Sequence, residues 1–246
     1  MGIFGFGNYD KPGPGVEKDA PQKHRFFLFW EVYFRKFWKL CQMNMLYFLF
    51  CIPIVTIGPA TAGFTYVMRN FAREEHAFLW SDFFEQFKKN FKQSFIVSLI
   101  DIPLIVLVYV NYQFYTQMWS KGLLFQIAFG LFVAAALVYI FSKFYVYQLI
   151  VTFDMKLRHI YKDCFIFAIV GLWRNILLLL VIAAIWFLIW LFPIAIILVP
   201  FLPLSFCGFL INFTTGPLIK KYMIDLPSQA KEEPEKPKVD PDVFFQ

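Results

Sequence analysis

Apolar residues are arranged along this chain in two ways. Some form stripes three or four residues apart with basic residues between them, and others form long runs without charge. A stripe at that spacing lies on one face of a helix, whereas a run apolar on every face needs a bilayer or a very large interior. From Lys23, the stripe Phe26, Trp30, Phe34, Phe37 and Cys41 is interleaved with Arg25, Glu31, Arg35, Lys36 and Lys39. It predicts a basic amphipathic helix at the headgroup boundary. That helix leads into uncharged residues 40–57, about 27 Å of helix and enough for one crossing. Within residues 56–63, Gly58 and Pro59 interrupt a helix, and the small residues allow close backbone approach.

A second stripe, Phe83, Phe87, Phe91 and Phe95, runs beside Lys88, Lys89 and Lys92, with Asp82 and Glu85 placed as a capping pair. It predicts another interfacial helix over residues 80–95. Residues 93–120, apolar apart from Asp101, supply the next span. Residues 122–142 supply another, with the helix continuing past Lys143 to residue 153. Residues 154–174 are mixed, with Phe165, Ile169 and Trp173 on one stripe, and read as interfacial. Residues 175–219 carry no charge; they are too long for one span and suit two, joined near Pro193, Pro200 and Pro203.

Composition sharpens the class. Hydrophobic residues make up 59% and charged residues 16% of the chain, against roughly 45–50% and about 25% for a soluble domain. The net charge of +6 comes from Lys and Arg at the ends of apolar runs, which suits anionic headgroups rather than a nucleic-acid groove. The fold expected is an all-α polytopic transmembrane helical bundle with basic amphipathic interfacial helices. It is one domain over residues 22–226, between an extended or disordered arm at 1–21 and a charged disordered tail at 227–246. The arm lacks the features of a secretory signal.

The positive connections are the arm, residues 69–92, residues 143–174 and the C-terminus, while residues 111–121 and 192–204 carry almost no charge. The positive-inside rule puts the charged set in the cytoplasm of a bacterial plasma membrane, with both termini inside. Five clear spans cannot satisfy that, so a sixth pass, short or broken, is expected just after Ile57.

Asp101 is the single acidic residue well inside a span, followed closely by Pro103. A carboxylate at that depth costs a few kcal/mol unless paired or wetted. It reads either as a proton or cation relay or as a structural residue bracing a kink. Thr56-Ile57-Gly58-Pro59 is echoed by Thr214-Thr215-Gly216-Pro217, and both strings are candidate helix breaks that expose backbone to a ligand. Thr56, Asn212, Thr214 and Thr215 complete the candidate intramembrane polar site. Cys41, Cys51, Cys164 and Cys207 read as small apolar residues, and His24, His76 and His159 form no metal motif. No catalytic triad or carboxylate pair is visible, so no enzyme activity, metal or cofactor is expected.

Several strings together resemble the YesL family of bacterial membrane proteins, a domain of unknown function. They are residues 8–16 (Asn-Tyr-Asp-Lys-Pro-Gly-Pro-Gly-Val), Arg35-Lys36-Phe37-Trp38, residues 53–61 (Pro-Ile-Val-Thr-Ile-Gly-Pro-Ala-Thr), and Phe83-Phe84 with Phe87, Asn90 and Phe91. The resemblance covers nearly the whole chain. Its members tend to be encoded near carbohydrate ABC-transporter and two-component regulator genes. It therefore implies an accessory role in carbohydrate uptake or sensing, with ABC-transporter permeases or a sensor kinase as partners. A small transporter or channel using Asp101 and the two broken strings is the alternative reading. The family brings no catalytic residues.

Overall fold

The computed structural model describes residues 24–119 and 122–225. The expected arm at 1–21 and tail at 227–246 lie outside the described residues. Among the described residues every regular element is helical, in nine α-helices. They follow an order that repeats three times: an amphipathic helix, a one-residue kink, an apolar helix, a turn and a second apolar helix. The first unit is α1 (Arg25–Arg35), α2 (Phe37–Cys51) and α3 (Ile57–Ala72). The second is α4 (Leu79–Lys89), α5 (Phe91–Met118) and α6 (Leu123–Thr152). The third is α7 (Leu157–Val170), α8 (Leu172–Leu191) and α9 (Pro203–Ile219).

The three kinks share one backbone geometry, at Lys36 (φ −103°, ψ 10°), Asn90 (φ −98°, ψ 11°) and Gly171 (φ −91°, ψ 13°). The last helices of the units, α3, α6 and α9, touch one another, and the amphipathic helix of the next unit packs on each. Thus α4 lies on α3, α7 on α6, and α1 on α9 through Phe29 against Phe206, Phe209 and Phe213.

At the centre is α3. Eleven of its residues are buried, among them Gly58, Ala60, Ala62 and Gly63. A Cβ added at Gly58 would stand 2.2 Å from Ser94 O, and one at Gly63 2.6 Å from Phe83 O. These glycines let α5 and α4 lie against α3 backbone to backbone. Gly208 plays the same part on α9, where a Cβ would meet the Phe64 ring at 2.2 Å.

Among the described residues three helices are long and apolar enough to cross a bilayer: α5, α6 and α8. At 15, 16 and 17 residues, α2, α3 and α9 reach about 23–26 Å, short of a hydrocarbon core of about 30 Å. Six crossings do not follow from helix length. The uncharged run predicts a first span as far as residue 57, whereas α2 stops at Cys51. Pro53 cannot donate to Leu49 O, and the residue before a proline is driven out of helix. A 3₁₀ turn, Ile54–Thr56, then opens α3.

Each expected helix break comes out differently. Gly58 and Pro59 lie in the first turn of α3, where proline is tolerated because those N–H groups have no intrahelical partner. Pro103 lies inside α5, which continues through it. In an apolar setting one lost bond costs less than the several unpaired groups of a helix end. Gly216 and Pro217 lie inside α9, which runs on to Ile219 and into a π-helical turn, Lys220–Asp225. The two echoing strings therefore play different parts, since one opens a helix and the other lies near the end of one. The long uncharged run did divide into two helices joined near Pro193 and Pro203, as its length required.

Burial is lopsided. Residues 99–118 of α5 and 123–140 of α6 include no buried residue, and their rings meet mainly each other, as in Tyr112 and Tyr115 with Phe129. The last twelve residues of α8 and the 3₁₀ segment Pro193–Leu198 are likewise unburied. The opposite end of the molecule is basic. There the start of α1, the end of α3 and the end of α9 meet at Arg25, Arg69, Arg73 and Lys220.

Candidate functional site

Asp101 sits at the level where the buried core gives way to the unburied α5–α6 hairpin. Tyr139 and Lys143, one turn apart on α6, present one face to it. The Tyr139 hydroxyl donates to Asp101 Oδ1 at 2.5 Å, and the Lys143 ammonium forms an ion pair with the same oxygen. Lys143 also lies over the Tyr139 ring at 4.9 Å and the Tyr161 ring at 5.6 Å. The carboxylate is thus matched by one positive charge and one hydroxyl. The aromatic rings hold the ammonium in place.

Lys143 also lines a small interior cavity of about 180 Å³ between α2, α3, α6 and α9, with Tyr47, Thr61, Thr65, Gln148 and Asn212. Its polar groups are largely paired with each other. Tyr47 and Thr61 share a hydrogen bond of 3.0 Å, and Gln148 Nε2 donates to Thr215 Oγ1 at 2.5 Å. Asn212 Nδ2 donates to Gly208 O at 2.8 Å, one turn back, while its Oδ1 has no partner.

Asn212 is shared with a larger cleft of about 730 Å³ at the basic end, where Arg25, Arg69, Arg73 and Lys220 converge. Arg69 is committed to the fold: it donates to Thr152 Oγ1 at 2.8 Å and Val151 O at 3.2 Å, tying the end of α3 to the end of α6. Arg25 donates to Phe213 O at 2.8 Å and stacks over the Phe213 ring at 5.3 Å. Partial burial, and then the neighbouring Arg174 charge, hold the Arg25 guanidinium below its ordinary range.

The sequence-derived candidates do not converge on one point. Asn212 and Thr215 face the interior, and Asp101 reaches the cavity only through Lys143. Thr214 turns outward, into a groove between α1, α8 and α9. Thr56 is occupied at the α2–α3 turn, where its hydroxyl donates to Phe50 O at 2.7 Å and Pro53 O at 2.8 Å. Tyr139, Lys143, Gln148 and Arg69 were missed. One signal was available: Lys143 is the single Lys or Arg between residues 122 and 155, opposite the single acid of the neighbouring span. Among the described residues no three His, Cys, Asp or Glu side chains form a metal site.

A family model described as "Protein of unknown function, DUF624" matches residues 40–112, from α2 into α5. The chain is 30% identical over 134 residues to "Uncharacterized protein YesL" of Bacillus subtilis (strain 168), a match covering 53% of this chain and 62% of that protein. No solved structure matches.

Proposed function

The chain belongs to the DUF624 family as a distant homologue of YesL, and from that premise we propose that it is a non-enzymatic integral membrane accessory protein. Its part is to dock beside another membrane protein in a carbohydrate uptake or sensing complex. The observation that carries docking is the α5–α6 hairpin. Its helices have 28 and 30 residues, about 42 and 45 Å, and their distal parts bury nothing. The carbohydrate context rests on the resemblance to the YesL family alone.

In this reading α2, α3, α5, α6, α8 and α9 are six passes, with α3 the short second one. Both ends of the described chain belong at the cytoplasmic face. Arg25 and Lys220 line one cleft, and the positive-inside rule favours the cytoplasm for that cleft. A small transporter is the second reading, favoured by Asn212 bordering both the interior cavity and the basic cleft. Against it, the cavity is small, and Asp101 is already matched by Lys143.

The test is a mild-detergent pull-down of the tagged full chain from its native membrane, with co-purifying proteins identified by mass spectrometry. Stoichiometric sugar-transporter permease subunits or a sensor kinase are expected. Recovery of this chain alone, with substrate flux in liposomes that Asp101→Asn abolishes, would replace this reading with the transporter.

A further inference from the structure

A groove of about 510 Å³ runs along the outside of the bundle between α1, α8 and α9. Most of its length is apolar, walled by Phe29, Trp30, Val181, Phe206 and Leu210, and its basic end carries Arg25 and Arg174. The same two arginines, with Lys221, line an adjoining polar hollow of about 420 Å³. No residue lining the groove or the hollow is acidic. Arg25 spends one N–H on Phe213 O, and the rest of its donor fork remains for an oxyanion.

We infer that this groove binds an anionic phospholipid of the surrounding bilayer, its phosphate between Arg25 and Arg174 and one acyl chain along the aromatic wall. The charge pattern selects the occupant. Two adjacent cations with no lining carboxylate call for an anion, and a basic recess at a helix–helix boundary is a recurrent headgroup site. The apolar length selects a lipid over a free phosphate, which would leave Val181, Phe206 and Leu210 uncovered. Trp173, 71% exposed beside Arg174, is placed as an interfacial ring would be. The inference requires that the chain lie in a bilayer and is independent of the accessory role.

Native mass spectrometry of the full chain in mild detergent tests it, with phosphatidylglycerol, phosphatidylcholine and glycerol 3-phosphate as probes. Preferential retention of phosphatidylglycerol is expected. Arg174→Gln, at an exposed site, should lower that retention about fivefold, the weight of one basic residue near an anionic headgroup. Phosphatidylcholine binding should stay unchanged, and Lys88→Gln on distant α4 should have no effect. Val181→Trp, which fills the groove from its open side, should reduce lipid retention while the thermal midpoint is kept. Equal retention by parent and Arg174→Gln overturns the site. Tight binding of glycerol 3-phosphate that Val181→Trp leaves unaffected overturns the lipid assignment in favour of a free anion.

Discussion

Arg25 donates to the carbonyl oxygen of Phe213, and Phe213 lies four residues before Pro217. In an uninterrupted helix that carbonyl would take the N–H of residue 217, which proline lacks. The start of α1 therefore supplies the donor that α9 is missing. Arg25→Gln should destabilise the chain by about 1 kcal/mol, the worth of one hydrogen bond. Pro217→Ala should cost little by itself and should rescue Arg25→Gln, because alanine restores the N–H. Thermal melts of the two single variants and the double variant read the coupling, and additive losses would contradict it.

The same device recurs at the other end of α9. Asn44 Nδ2 donates to Val199 O at 2.8 Å, four residues before Pro203, and Asn44 Oδ1 accepts from Ser205 N at 2.5 Å in the first turn of α9. The N-cap residue, Leu202, has no side chain able to do this. Asn44→Leu should cost about 1–3 kcal/mol, since it leaves the buried Ser205 N–H and the half-buried Val199 carbonyl unpaired. Asn44→Gln should recover little, because its longer side chain cannot reach both groups in the same place. Chemical denaturation in detergent would show it, and a neutral Asn44→Leu would refute the capping role.

Lys143 and Asp101 are each about one-fifth exposed, so breaking their pair should matter more than a surface ion pair does. Lys143→Met is expected to lower stability by about 1–3 kcal/mol by stranding the carboxylate. Adding Asp101→Asn should return part of that loss. A double variant that melts no higher than Lys143→Met would contradict the pairing.

How much of this was legible beforehand depends on whether a feature is local. The amphipathic stripes announced α1, α4 and α7 because a helical period is written in consecutive residues. The first two stripes run on through the kinks at Lys36 and Asn90, however, so that Phe37 and Cys41 belong to α2 and Phe91 and Phe95 to α5. Proline positions gave the division between α8 and α9. The small residues Gly58, Ala60, Ala62 and Gly63 announced close approach, yet α3 looked like a weak, broken span, whereas it is the central helix. Shortness reads as weakness in a hydropathy pattern, but at a bundle centre it accompanies backbone contact on several sides. The partners of Asp101 were out of reach for another reason. Inter-helix register is set by packing between residues 38 and 42 positions away, and no periodicity in one helix fixes it. Helix α6 does continue past Lys143 as its pattern implies, to Thr152, but nothing in that pattern pairs Lys143 with Asp101.

Glycine substitutions separate close approach from composition. Gly63→Ala should destabilise by about 1–3 kcal/mol, because its Cβ falls on the Phe83 backbone, which cannot move as a flexible side chain does. Gly216→Ala meets nothing within 4 Å and should be neutral or stabilise by about 0.5–1 kcal/mol. Equal effects in the two melts would contradict the packing described around α3.

Thiol labelling reports the same packing from the other units. Cys164 is fully buried, and burial with the nearby Asp163 pushes its thiol up to about 12. Because the thiolate is the reactive form, Cys164 should resist a maleimide at pH 7–8 in the folded protein and react only after denaturation. Cys41, half-buried on α2, should label first. Rapid native labelling at Cys164 would place α7 away from α6.

The docking role is tested most directly by a photo-crosslinking amino acid placed at Val106 on α5 or Leu131 on α6, both exposed on the hairpin, and irradiated in native membranes. The account predicts a discrete adduct with a second, different membrane protein, formed from both positions and absent when the probe replaces exposed Lys88 on α4. Adducts to lipid alone, or to another copy of this chain, would contradict it.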